Sequence, residues 1–96
     1  MLTKKATADG RVRVRFSLPA DVEATSVSLW GDFDGWRSGT TMKRVKSGEW
    51  RASKTLDPGR TYHFRYLVDD ERWENDWEAD GYEANPYGTD DSLVSV

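Results

Sequence analysis

The side chains best suited to catalysis are scarce in this sequence and scattered along it. His63 is the only histidine and there is no cysteine, so thiolate chemistry, a two-histidine acid–base pair and a histidine-based metal site are all out of reach. Serines are present, but none lies in the Gly-flanked elbow that presents a nucleophile. Carboxylates crowd the run DDERWENDWEAD, Asp69 to Asp80. A glycoside hydrolase needs two of them at a set separation across a cleft, which a small sandwich-like domain seldom provides. Asp76, Glu78, Asp80 and Gly81 occupy the first, third, fifth and sixth places of a calcium loop, but the twelfth place, which should hold a bidentate Glu, is Tyr87. The expectation is therefore no catalysis, no metal and no cofactor.

What the chain has in excess is aromatic rings: five Trp, four Tyr and three Phe in 96 residues. Strand alternation can turn Phe16, Trp50, Tyr62, Phe64 and Tyr66 inward. Trp30, Trp36, Trp73, Trp77, Tyr82 and Tyr87 are left in turns or on outward positions. Trp30 and Trp77 are expected to roof the ends of the domain or lie at sheet edges. The rest are too many for a small core to hide, and clustered exposed rings mark a binding surface. The stretch GDFDGW, Gly31 to Trp36, carries this argument furthest. Gly and Asp make it a turn, so Trp36 either tucks under as core or is held out as a platform.

The elements that must position these rings read as strands. RVRVRFSL alternates with Val12, Val14, Phe16 and Leu18 on one face and three arginines on the other, and Pro19 ends it. TSVSLWG follows with Val27 and Leu29 inward and Trp30 opposite. TMKRV and EWRASKTL are weaker, the second because Lys54 interrupts its apolar face. Asp57-Pro58-Gly59 is a turn. TYHFRYLV puts Tyr62, Phe64, Tyr66 and Val68 on one side and His63, Arg65 and Leu67 on the other, which makes His63 an ordinary surface residue. A hairpin-like turn over Asp69 to Arg72 precedes Trp73, and SLVSV closes the chain. No apolar stripe of helical period is sustained. These signals predict an all-β, immunoglobulin-like two-sheet sandwich of about 6–8 strands, with residues 1–8 as a flexible tail and 9–96 as one domain.

Charge narrows the partners. Residues 1–65 carry 13 Lys/Arg against 7 Asp/Glu and residues 66–96 carry 1 against 10. The cations alternate with apolar residues as solvated strand faces do, so nucleic acid is not expected. No run approaches membrane-spanning length, and a cytoplasmic setting is expected. A ligand that wants flat rings rimmed by Asp, Asn, Arg and Thr is a pyranose, whose C–H face lies on an aromatic ring while its hydroxyls seek planar partners. Covering roughly 80 Å² of sugar face at about 25 cal/mol per Å² contributes on the order of 2 kcal/mol per ring. Two such rings, after the cost of association, give a single site of high micromolar to millimolar affinity, suited to a polymer.

The segments VSLWGDFDGW, GEW, LDPGRTYHFRYLVDDERW and NPYGTDDSLVSV, in this order from about Gly10 to the end of the chain, resemble carbohydrate-binding module family 48. This is the early-set sandwich of isoamylase-type enzymes and of the glycogen-binding module of the AMP-activated protein kinase β subunit. The chain looks most like the short stand-alone bacterial members. The resemblance implies binding of an α-1,4-glucan polysaccharide or maltooligosaccharide. It also implies that Trp36 and Trp73 stack on sugar, that Arg65 takes the place of a hydroxyl-binding Lys, that Tyr87 clamps and that Thr89 offers a hydroxyl contact. Asp91 stands where the family has Asn, which removes an amide donor. The turn before Trp73 looks one residue longer. In multidomain relatives the same sandwich packs on a catalytic barrel, so docking on a glucan-processing enzyme or other protein partner is the alternative use of the spare rings.

Overall fold

The computed structural model describes residues 1–96. Ten strands run in chain order: β1 (Leu2–Ala6), β2 (Val12–Leu18), β3 (Val27–Gly31), β4 (Thr40–Thr41), β5 (Lys43–Arg44), β6 (Trp50–Leu56), β7 (Thr61–Val68), β8 (Arg72–Glu74), β9 (Gly81–Ala84) and β10 (Asp90–Ser95). A single 3-10 turn, Asp32–Asp34, follows β3. Sheet A has the order β1-β2-β6-β5, and sheet B the order β4-β3-β7-β10-β9, with β8 also paired to β7. Every strand pair is antiparallel. This is the two-sheet sandwich the alternating pattern predicts.

The inward faces are the ones the period-2 pattern marks. Val14, Phe16 and Leu18 of β2, Val27 and Leu29 of β3, Tyr62, Phe64, Tyr66 and Val68 of β7 and Val94 of β10 are all buried. Phe16 of sheet A meets Phe64 of sheet B edge to face at 5.0 Å, a geometry that sets the positive edge of one ring on the negative face of the other. TMKRV is divided between the sheets: Thr40–Thr41 pairs with β3 and Lys43–Arg44 with β6. Met42, between them, is buried.

One feature departs from the sequence expectation, and one interruption it named finds its partner. Residues 1–8 are not all loose tail, because Leu2–Ala6 pairs in register with Phe16–Val12 as β1. The segment LTKKA lacks an apolar alternation and is an edge strand, held by main-chain bonds and by the Lys4–Asp80 pair at 2.6 Å. Lys54, which breaks the apolar face of β6, forms an ion pair with Asp34 at 3.0 Å while lying over the Phe33 ring.

The most deeply buried carboxylate follows β8. Asp76 is 1% exposed. It accepts hydrogen bonds from the Tyr66 hydroxyl at 2.7 Å and the Glu78 amide at 2.8 Å, and the Met1 amine also reaches it. Burial, and next the adjoining carboxylate, push the Tyr66 hydroxyl well above its ordinary pKa of 10.0.

Candidate functional site

Register sets the floor of the site. On the outer face of sheet B, Trp30 of β3 lies opposite Arg65 of β7, while Trp73 of β8 lies opposite Leu67. Because β8 alternates, Trp73 projects outward while Arg72 and Glu74 turn to the other side. The Trp30 and Trp73 rings meet edge to face at 5.9 Å. Trp30 is fixed from behind: its indole N–H donates to Ser28 Oγ at 2.9 Å. Gly39 lies so close that a Cβ there would fall 2.5 Å from the indole nitrogen.

Trp36 enters from the turn after β3. The Gly35 amide bonds the Asp32 carbonyl and the Trp36 amide bonds the Gly31 carbonyl, each at 3.0 Å, the nested pair of a Schellman closure. Gly35 is left-handed at φ 63°, and Trp36 is left-handed as well at φ 58°. That backbone is strained for a bulky side chain, and such strain persists only where surrounding contacts over-determine it. The turn is pinned three ways. Phe33 packs on the Phe16 and Tyr62 rings, Asp32 Oδ1 accepts the His63 amide at 3.0 Å, and Asp34 holds Lys54. Trp36 is thus half-buried at the edge of the site, not part of the core.

Trp73 is delivered by the β7–β8 hairpin. Asp69 and Asp70 both have positive φ, at 54° and 58°, and the Glu71 amide bonds the Val68 carbonyl at 3.2 Å. Two successive left-handed residues give the primed turn that matches strand twist, and Asp tolerates that conformation. The Asp69 carboxylate accepts the Ser26 and Thr25 amides, at 3.0 and 2.6 Å. These two bonds hold its pKa below the ordinary 3.8 and fasten the hairpin to the start of β3.

The third wall is the loop between β9 and β10. Asn85 Oδ1 accepts the Tyr87 and Thr89 amides at 3.0 and 3.2 Å, and its Nδ2 donates to Thr89 Oγ1 at 2.8 Å and Asp91 Oδ1 at 3.1 Å. One side chain therefore sets the whole loop, and Tyr87 is left 87% exposed at its tip. Asp91 lies beneath. It accepts a bond from His63 Nδ1 at 3.1 Å and lies 3.5 Å from Arg65 Nε. The Arg65 guanidinium rests on the Trp73 ring at 5.1 Å, a stacked cation held between an indole and a carboxylate.

These walls enclose an open cleft of about 400 Å³ on the outer face of sheet B, lined by Trp30, Trp36, Arg65, Trp73, Asn85, Pro86, Tyr87 and Asp91. Trp36, Arg65, Trp73, Tyr87 and Asp91 come together as the sequence reading groups them, and Thr89 adjoins through Asn85. Asp91 differs from expectation in character. It is buried, with both oxygens engaged by the protein, so it braces Arg65 and Asn85. His63 is not an ordinary surface residue either, since it is half-buried and tied to that carboxylate. Trp30 and Asn85 are members that the sequence reading did not assign to the site. The outward phase of Trp30 on β3, and the Asn-Pro turn signal at 85–86, are the clues that point to them. Trp77 lies outside the cleft and is 60% exposed.

A β-sandwich that gathers three indoles, a phenol and a braced guanidinium on one outer sheet face has the build of a ligand-binding module. Residues 12–95 match the family described as the glycogen recognition site of AMP-activated protein kinase, and the chain belongs to that family. Among similar proteins, FLOURY ENDOSPERM 6, chloroplastic, of Oryza sativa subsp. japonica is 42% identical over 53 residues, covering 55% of this chain and 10% of that protein. PTST homolog 2, chloroplastic, of Arabidopsis thaliana is 36% identical over 71 residues, covering 65% of this chain and 12% of that protein. Two solved structures of a Paenibacillus barengoltzii pullulanase superpose on 99% of this chain at 25% identity. The apo form has a TM-score of 0.55 over 14% of its length, and a mutant complexed with maltotriose has 0.54 over 15%. The chain thus spans a small fraction of each relative. No helix of the structure is long and apolar enough to cross a membrane.

Proposed function

We propose that this chain is a non-catalytic module that binds α-1,4-glucan, glycogen or starch, by stacking glucose units on Trp36 and Trp73. The observation that carries the reading is the convergence of those two rings with Trp30, Arg65 and Tyr87 on one cleft, in a chain of a glycogen-recognition family. The division of labour follows from chemistry. Trp36 and Trp73 offer ring faces to the apolar faces of successive sugars. Arg65 has five N–H donors in a fixed fork, and its stacking on Trp73 keeps that fork in place for sugar hydroxyls. Tyr87 closes over the ligand from the loop and Thr89 supplies a hydroxyl, while Asp91 orients Arg65. Trp30, with its N–H already spent on Ser28, is a buttress for Trp73.

Docking on a glucan-processing enzyme is the second reading. It is favoured by the pullulanase matches, where the similar stretch is a small part of a much longer chain. Titration of maltoheptaose, followed by Trp fluorescence and paired with glycogen co-sedimentation, separates the two. Saturable quenching in the high micromolar to millimolar range is expected. Trp36→Ala and Trp73→Ala should each abolish co-sedimentation while moving thermal unfolding by no more than about 1–2 kcal/mol, since neither ring is in the core. Retained binding with a large fall in melting temperature would reverse the assignment.

A further inference from the structure

The cleft does not account for the most exposed indole in the molecule. Trp77 is 60% exposed, against 45% for Trp73, and its N–H has no partner in the protein. It borders a hollow of about 160 Å³ that Leu18, Asp21, Glu23, Arg72 and Glu74 also line. Strand alternation relates this hollow to the cleft: Trp73 leaves one side of β8 and Arg72 and Glu74 leave the other, so the two sites stand back to back across a three-residue strand.

We propose that the Trp77 hollow is a second sugar contact for the same polysaccharide, an inference that rests on the glucan reading of the cleft. The hollow has the parts that a pyranose requires. Trp77 gives an uncovered apolar ring and a free donor. The Asp21 and Glu23 carboxylates, which make no hydrogen bond or ion pair within the protein, accept from hydroxyls. Arg72 is held by Glu74 at 2.9 Å, which leaves the rest of its fork to donate. A polymer held at Trp73 brings many further glucose units within reach of the other side of β8, so even a weak contact at Trp77 multiplies retention on polysaccharide through effective concentration.

Trp77→Ala, Trp77→Phe and Trp73→Ala are compared with the unmodified chain on two ligands, maltotriose in solution and particulate glycogen. Maltotriose is too short to engage both sides of β8 at once. Trp77→Ala is expected to leave maltotriose affinity at the cleft within about twofold and to weaken glycogen retention about tenfold or more, with Trp77→Phe recovering most of that loss. Trp73→Ala should weaken both. Unchanged glycogen retention by Trp77→Ala, with the unmodified chain still binding, overturns the second contact alone. Equal losses on both ligands would make Trp77 a structural residue and also overturn it. Absence of binding by the unmodified chain removes the cleft reading, and this one with it.

Discussion

Replacing Asn85 by Ala tests whether the cleft is pre-built. Its side chain makes four hydrogen bonds, to the Tyr87 and Thr89 amides, Thr89 Oγ1 and Asp91 Oδ1. Three lie within the exposed loop and the fourth reaches Asp91 at the start of β10; taken at the low end of the usual range, each contributes about 0.5 kcal/mol. Their loss costs roughly 2 kcal/mol of local order while the core is untouched. If Tyr87 and Thr89 must then be ordered by the ligand, that amount is subtracted from binding, about a 30-fold weaker Kd for maltoheptaose. Calorimetric titration reads the affinity, and hydrogen exchange at the Tyr87 and Thr89 amides reads the order. Asn85→Asp sharpens the test. It keeps the acceptor for both amides but sets a second carboxylate about 3 Å from Asp91, where two like charges disfavour each other. Its loop should therefore be loose at neutral pH and tighten as the pair takes up a proton. Slow exchange at both amides in Asn85→Ala, with affinity intact, would refute the idea that this side chain builds the wall.

Three further outcomes are expected. Gly39→Ala places a Cβ 2.5 Å from the Trp30 indole nitrogen, so the ring must tilt and release Ser28; overpacking of about 1–3 kcal/mol should appear as a lower melting temperature together with weaker maltoheptaose binding, and an unchanged pair of values would show that the 38–40 loop simply yields. Tyr66→Phe removes a donor from buried Asp76 and should cost about 2 kcal/mol, or about 8–16 °C in melting temperature. Because the Tyr66 pKa is raised, its contribution is complete below pH 10.0 and is lost as pH rises through the folded-state value; denaturant titrations should therefore fall less steeply above pH 10.0 in the Phe variant. The depressed Asp69 pKa has the opposite sign, with stability present above 3.8 and lost as pH drops through the folded-state value; Asp69→Asn should flatten that acid limb in unfolding measurements, and an unaltered limb would show that the hairpin anchor is energetically silent.

The sandwich was legible because its core residues obey a period of two. Phe16 and Phe64 could both be turned into the core without coordinates. What the pattern concealed were residues whose partners are remote in sequence. Lys54 looks like an interruption until Asp34 arrives from another loop to neutralise it. His63 reads as an ordinary surface residue and Asp91 as a sugar contact, because only the register of β7 with β10 brings the two together. Trp30 could be phased outward, but the role of Gly39 in fixing it depends on a loop whose path no local rule dictates. LTKKA carries no strand signal of its own and is ordered by the edge it meets. Motif order grouped Trp36, Arg65, Trp73, Tyr87 and Asp91, whereas the place of Trp30 in the cleft and its wiring through Asn85 and Asp91 emerged only from tertiary geometry.

The left-handed backbone at Trp36 has a practical consequence for anyone altering this domain. Glycine or asparagine adopts that conformation far more readily than tryptophan, so selection of variants for heat resistance alone will favour discarding the indole. The hardiest clones from such a library will be those with the poorest grip on polysaccharide, and a screen must apply both pressures at once to keep the domain useful.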